Sequence, residues 1–84
     1  MTYRLLLKRS AERELDAIRE PAFSRIKRKL LALEEHPRPV GIQKLHGQAA
    51  YQVRVGDYRI LYTIDDVARH VEIIAIGHRR DVYR

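Results

Sequence analysis

The apolar residues of this chain follow two different periods, and the change from one to the other marks out strands and helices. From Thr2 to Lys8, Tyr3, Leu5 and Leu7 fall on one side of an extended segment, while Arg4, Leu6 and Lys8 make the other side mixed. Ser10 stands where a helix N-cap is expected, ahead of Ala11, Leu15 and Ile18, so the pattern predicts a short helix ending near Glu20. Pro21 suits the first turn of a second helix, where its missing N–H is no loss. Phe23, Ile26, Leu30 and Leu33 then form an apolar stripe at intervals of three and four. His36-Pro37-Arg38-Pro39 ends that helix, because proline restricts the residue before it and donates no backbone hydrogen bond.

Val40 to Ala50 predicts a connection with an extended piece at Ile42 to Leu45. Alternation then returns. Tyr51, Val53 and Val55 share one face, with Gln52 and Arg54 on the other, and Gly56-Asp57 is a strong hairpin signal. Tyr58 to Ile64 is therefore expected to run back antiparallel, bringing Arg54 and Arg59 close together. Asp65 to Arg69 forms a second turn, and Val71 to Ile76 is a strand rich enough in isoleucine and valine to be central or well covered. No repeat or linker divides the chain, so residues 1–84 are read as one domain. The expected fold class is α+β, with an N-terminal strand and two helices packed on one face of a mainly antiparallel four-stranded sheet. The opposite face is expected to stay open, and His78, Arg79, Arg80 and Tyr83, which follow the last strand, to converge on it.

Charge gives that open face a meaning. The 84 residues include 17 Lys and Arg against 11 Asp and Glu, a net charge of +6, and most of the cations are arginine. Arginine's planar fork matches phosphate bidentately, and a net positive field steers polyanions, so nucleic acid or an acidic protein is the implied partner. A hydrophobic content of 45% and a charged content of 33% are those of an ordinary globular protein. There is no cysteine, which excludes disulfides and thiolate chemistry and fits the cytoplasm. The three leucines of the N-terminal segment are too short a run for a signal peptide or a membrane span.

Other chemistries lack their residues. Asp57, Asp65 and Asp66 fall in turns and Asp81 in the tail, away from the convergence a two-metal nuclease requires, and the histidines at 36, 46, 70 and 78 lack metal-ligand spacing. There is no phosphate-binding glycine loop, dinucleotide fingerprint or zinc motif, so no metal and no cofactor is expected. What remains is an arginine-rich phosphate site with His78 and Tyr83 as acid–base groups. Such a site suits RNA cleavage in which the substrate's own 2′-OH attacks and arginines stabilise the transition state, and equally suits binding without cleavage.

KLHG ahead of the first hairpin strand, then YQVRVGDYRILY and IGHRRDVYR, together with the order of elements, resemble the RelE/ParE superfamily of toxin–antitoxin systems, in particular its RelE branch. The likeness covers nearly the whole chain. It implies a RelE-like, microbial RNase-like fold and a small metal-independent endoribonuclease that enters the ribosomal A site and cleaves translated mRNA. It also implies an antitoxin encoded beside the toxin, and contact with operator DNA only through the antitoxin complex. By the same resemblance, Arg59 holds the scissile phosphate, Arg79 stabilises the transition state, Tyr83 stacks on a base or transfers a proton, and Arg54 is the second basic residue of the catalytic strand. His78 is a further acid–base candidate, and Lys44, Gln52, Arg54 and Arg80 are expected to contact RNA.

Gln52 is a departure from the resemblance, since well-studied RelE toxins carry a lysine there, and glutamine supplies hydrogen bonds but no cation. Three outcomes stay open: a neighbouring base such as Lys44 or His78 compensates, activity is weaker, or the protein departs from RNA cleavage. The alternatives are a ParE-like inhibitor of DNA gyrase and a noncatalytic basic RNA-binding module.

Overall fold

A computed structural model of the chain describes residues 2–45, 47 and 49–78. The described elements are β1 (Arg4–Leu7), α1 (Arg9–Asp16), α2 (Ala22–Glu35), β2 (Gln43–Lys44), β3 (Tyr51–Val55), β4 (Tyr58–Asp65) and β5 (His70–His78). The strands form one sheet in the order β1-β5-β4-β3-β2; β1 runs parallel to β5 and every other pair is antiparallel. The α+β class and the two helices agree with the sequence, but the sheet has five strands rather than four. The extra one is β2, at the extended piece between Ile42 and Leu45. Two residues are too few to show a period, which is why alternation does not reveal it.

The first helix differs from expectation at both ends. Ser10 lies inside α1 and does not cap it; the cap position is Lys8, with extended backbone and no side-chain cap bond. Lys8 is fixed by the sheet, since its N–H donates to the Ile73 carbonyl at 3.0 Å, and its own carbonyl already accepts from the N–H of Glu12 at 2.9 Å. The strand therefore passes directly into the helix before Ser10 is reached. The helix ends at Asp16, short of Glu20.

Glu20 acts at the start of α2 instead. Its carboxylate accepts from the Ser24 N–H at 3.0 Å and the Ser24 hydroxyl at 2.6 Å. These bonds hold its pKa below the usual carboxylate value and satisfy a first-turn donor that the helix leaves unpaired. Within α2, Ile26, Leu30 and Leu33 are buried as their spacing predicts. Phe23 is not part of that stripe: Ala22 packs on the core, while the Phe23 ring is half-exposed beneath the Lys27 ammonium, 5.8 Å from its centroid.

The core lies between the helices and one face of the sheet. Ala11 of α1 and the α2 stripe meet Val53 of β3, Ile60 and Tyr62 of β4, and Val71, Ile73 and Ile76 of β5. The spacing along β5 contains an irregularity. Tyr62 pairs with Ile73 but Leu61 with Ala75, so Ile74 is an extra residue, a β-bulge. Before the bulge, Val71 and Ile73 face the helices; after it, Ile76 does.

A polar clamp closes one end. Arg38, in the connection after α2, makes two parallel bonds to Asp66 in the β4–β5 turn, at 3.1 and 2.9 Å, and the Tyr3 hydroxyl donates to the same carboxylate at 2.6 Å. The Arg38 guanidinium also lies 5.7 Å from the Tyr51 ring centroid, and Arg69 lies 5.6 Å from that of Tyr3. The buried Tyr62 donates its hydroxyl to the Pro37 carbonyl at 2.8 Å, tying the same connection to the core. Hydrogen bonds from Arg38 and then Tyr3 lower the Asp66 pKa from 3.8 to about 2, and burial is the main cause that raises that of Tyr62 to about 12.

Two measurements test this account of stability. Leu33→Ala should destabilise the fold by about 2–5 kcal/mol, the usual cost of emptying a buried leucine site, in urea unfolding followed by circular dichroism. Because Asp66 is more acidic folded than unfolded, its contribution is fully present above its ordinary value of 3.8 and disappears as pH falls through about 2. The melting temperature of Asp66→Asn, scanned by pH, should therefore lie below that of the native protein near neutrality. The gap should close between pH 4 and 2.

Candidate nucleic-acid interface

Cross-strand partners share a face, so the register identifies what stands on the side of the sheet away from the helices. One row across it is Arg54 of β3, Arg59 of β4 and Gly77 of β5. The next is Gln43 of β2, Gln52 of β3, Leu61 of β4 and Ala75 of β5. Farther on come Thr63 with Glu72, then Asp65 with His70 and Arg4. The face is therefore polarised, cationic at the hairpin end and mixed at the other.

The expected approach of Arg54 and Arg59 is realised, since they are directly paired across the strands. Such partners place their Cβ atoms about 4.5–5.5 Å apart, and like charges in that position repel. Arg54 is exposed and Arg59 half-buried, while Gly77 has no side chain to cover Arg59 from the β5 side. The register thus puts two arginines, the side chain best matched to a phosphodiester, in one row of this face.

Gln52 is the buried polar side chain of this region, only 2% exposed. Its Nε2 donates to Oε1 of Gln43 at 3.3 Å. Gly41, Gln43, Gln52 and Arg54 line an open polar concavity of about 220 Å³. Gly41 has a φ of +92°, a backbone state that favours glycine, while a Cβ there would meet nothing within 4 Å. Gly41 and Gln43 carry no sequence signal of function; only the pairing of β2 with β3 reveals them.

Two predicted site residues lie elsewhere. Lys44 pairs with Tyr51, which puts it on the helix-side parity of the edge strand and apart from the arginine row. His78 pairs with Tyr58 and packs edge-on against its ring, with centroids 5.8 Å apart, on the same side as Ile76. The bulge at Ile74 is the reason: simple alternation along β5 would place residue 78 on the open face, and one extra residue reverses it. Neither side chain is positioned to supply the cation that Gln52 lacks. Arg79, Arg80 and Tyr83 lie outside the described residues. Among the described residues, no three His, Asp or Glu side chains gather as a metal site would require, and no helix is long and apolar enough to cross a membrane.

A family model described as the ParE toxin of type II toxin-antitoxin system, parDE, matches residues 5–83. Toxin RelG of Mycobacterium tuberculosis is 38% identical over 72 residues, which cover 86% of this chain and 76% of RelG. The chain belongs to the RelE/ParE toxin superfamily. Solved relatives share its fold. The toxin matches a chain of the RelBE2 toxin–antitoxin complex of M. tuberculosis with a TM-score of 0.83 and 26% identity, covering 94% of this chain and 100% of that one. It matches the archaeal RelE–RelB complex of Pyrococcus horikoshii OT3 with a TM-score of 0.84 and 25% identity, covering 98% and 100%. Against the intact E. coli RelBE complex the values are 0.80 and 26%, covering 90% and 95%.

The like-charge pair predicts an unusual mutational sign. Arg54→Gln removes the repulsion and should raise stability by about 0.2–1 kcal/mol at low salt. That gain should shrink at high salt as screening replaces it. Thermal unfolding of both proteins at two ionic strengths measures it.

Proposed function

We propose that this toxin is a ribosome-dependent endoribonuclease that cleaves translated mRNA in the A site, held in check by an antitoxin from an adjacent gene. The observation that carries the proposal is the Arg54–Arg59 pair, directly opposed on the sheet face away from the helices, with Arg54 also lining a polar concavity. Two arginines in one row would supply the charge stabilisation this reaction needs. The 2′-OH of the substrate attacks the adjacent phosphorus, its proton passes to water or a nearby base, and the bond to the departing 5′-oxygen breaks as that oxygen gains a proton. The products are a 2′,3′-cyclic phosphate and a 5′-hydroxyl. Arg54 and Arg59 stabilise charge on the phosphoryl oxygens, and Arg79 and Tyr83 are assigned, by resemblance, the transition-state and leaving-group or stacking roles.

Solved relatives are complexes with RelB antitoxins, and an acidic antitoxin segment folding onto this toxin, whose net charge is +6, would neutralise its field. The complex would reach operator DNA through the antitoxin. Ribosome binding places the toxin in the cytoplasm.

Inhibition of DNA gyrase is the second reading, favoured by the ParE description of the matching family and by a buried, neutral Gln52 where well-studied RelE toxins have a cation. One paired assay separates the two. Purified toxin added to ribosomes programmed with mRNA should give discrete A-site cuts, while gyrase supercoiling proceeds. Intact mRNA together with blocked supercoiling would reverse the assignment. Arg59→Ala should lower the cleavage rate about 10²- to 10³-fold, the usual effect of deleting one charge-stabilising donor, with the circular dichroism spectrum unchanged.

A further inference from the structure

The concavity at the β2–β3 edge has a construction that phosphate binding alone does not explain. Its cation, Arg54, sits at one end; the rest is Gly41 and the two amides of Gln43 and Gln52. At about 220 Å³ it holds roughly seven water volumes of ~30 Å³ each, the scale of one planar base rather than of a folded oligonucleotide. Gln52 is buried and donates to Oε1 of Gln43, which is exposed on the edge strand. That bond restricts the orientation of the Gln43 amide. Its carbonyl keeps a second lone pair and its Nε2 keeps two hydrogens, so one amide offers an acceptor and a donor side by side.

We propose that Gln43 reads an adenine next to the phosphate held by Arg54 and Arg59, and that Gln52 is the positioning residue that fixes Gln43 for the task. An amide presents an acceptor to the adenine N6–H₂ and a donor to N7, the bidentate pairing that picks out adenine along the edge that bases turn to a major groove. Guanine offers two acceptors along that edge and would leave the Gln43 carbonyl facing another acceptor. The bases of single-stranded RNA expose these edges freely. Gln52 then replaces a cation with a hydrogen bond because its site serves base selection.

The proposal rests on RNA being the ligand of this face, and binding of free oligonucleotides tests it apart from cleavage. Four single-stranded hexaribonucleotides, each of one base, would be titrated against the full-length toxin by fluorescence anisotropy at fixed salt. Oligoadenylate should bind about tenfold more tightly than the others, as one bidentate contact warrants. Gln43→Ala and Gln52→Leu should both erase that preference. Gln43→Glu, which keeps only acceptors, should shift the preference toward oligocytidylate, whose N4–H₂ is a donor. Circular dichroism excludes unfolding as the cause, and Gln43 is exposed enough for its variants to fold.

Equal affinity of the native toxin for all four bases, or an adenine preference untouched by Gln43→Ala, overturns the proposal even if ribosomal mRNA is cut. An adenine preference lost with Gln43 but no ribosomal cleavage supports it and sinks the nuclease assignment. Absence of binding to any of the four overturns the proposal, and the ribosome assay alone then decides the nuclease assignment.

Discussion

The two-residue alternation of the β3–β4–β5 meander, broken once at Ile74, decides which side chains this protein brings together. Val53, Ile60 and Ile76 are buried beneath the helices, and each buried aliphatic side chain of this kind contributes about 1.5–3 kcal/mol by leaving water. A slip of one residue in the register would expose them and drive Arg54 and Arg59 into the core. The arginine pair is thus held on the open face by apolar residues on the opposite one. Repulsion across one strand pair is small beside that burial, so the fold tolerates two opposed cations that local energetics alone would separate.

This explains why some of the molecule is legible in the sequence and some is not. The α2 stripe, the Gly56-Asp57 hairpin and the pairing of Arg54 with Arg59 follow from period and turn chemistry. The bulge does not, because Val71 to Ile76 is apolar at nearly every position and either parity would bury good core residues. Its consequence falls on His78, which moves from the expected open face to a ring contact with Tyr58. The α1 cap fails for a related reason: Lys8 is pinned by Ile73, and a tertiary hydrogen bond overrides the local preference of Ser10. The clamp of Arg38, Asp66 and Tyr3 joins residues far apart in sequence, and no spacing announces it.

Burial also changes the meaning of Gln52. Sequence places it on the face beside Arg54, which is correct, but there it is buried and bonded to Gln43 of the edge strand β2. An ammonium in that place would lose much of its hydration unless an anion were present, whereas an amide is satisfied by Gln43. The absent cation and the short edge strand are therefore one feature. The structure has, at this position, an amide pair that lines a concavity.

The polarity of the open face limits how a polyanion lies on it. Four residues of extended chain separate Arg59 from Thr63, the partner of Glu72, about 14 Å at 3.4 Å per residue. Asp65 lies two residues farther. A nucleic acid running along the strands from the arginine row would leave the cations and meet these carboxylates. One running across the strands follows Gly77, Arg59, Arg54 and the Gln43–Gln52 edge without approaching them. Physiological salt screens charge over about 8 Å, so Glu72 and Asp65 do little to weaken the phosphate site itself. They act on the neighbouring phosphates instead, and the path across the strands is the one that carries a bound chain from the arginine row to the amide pair.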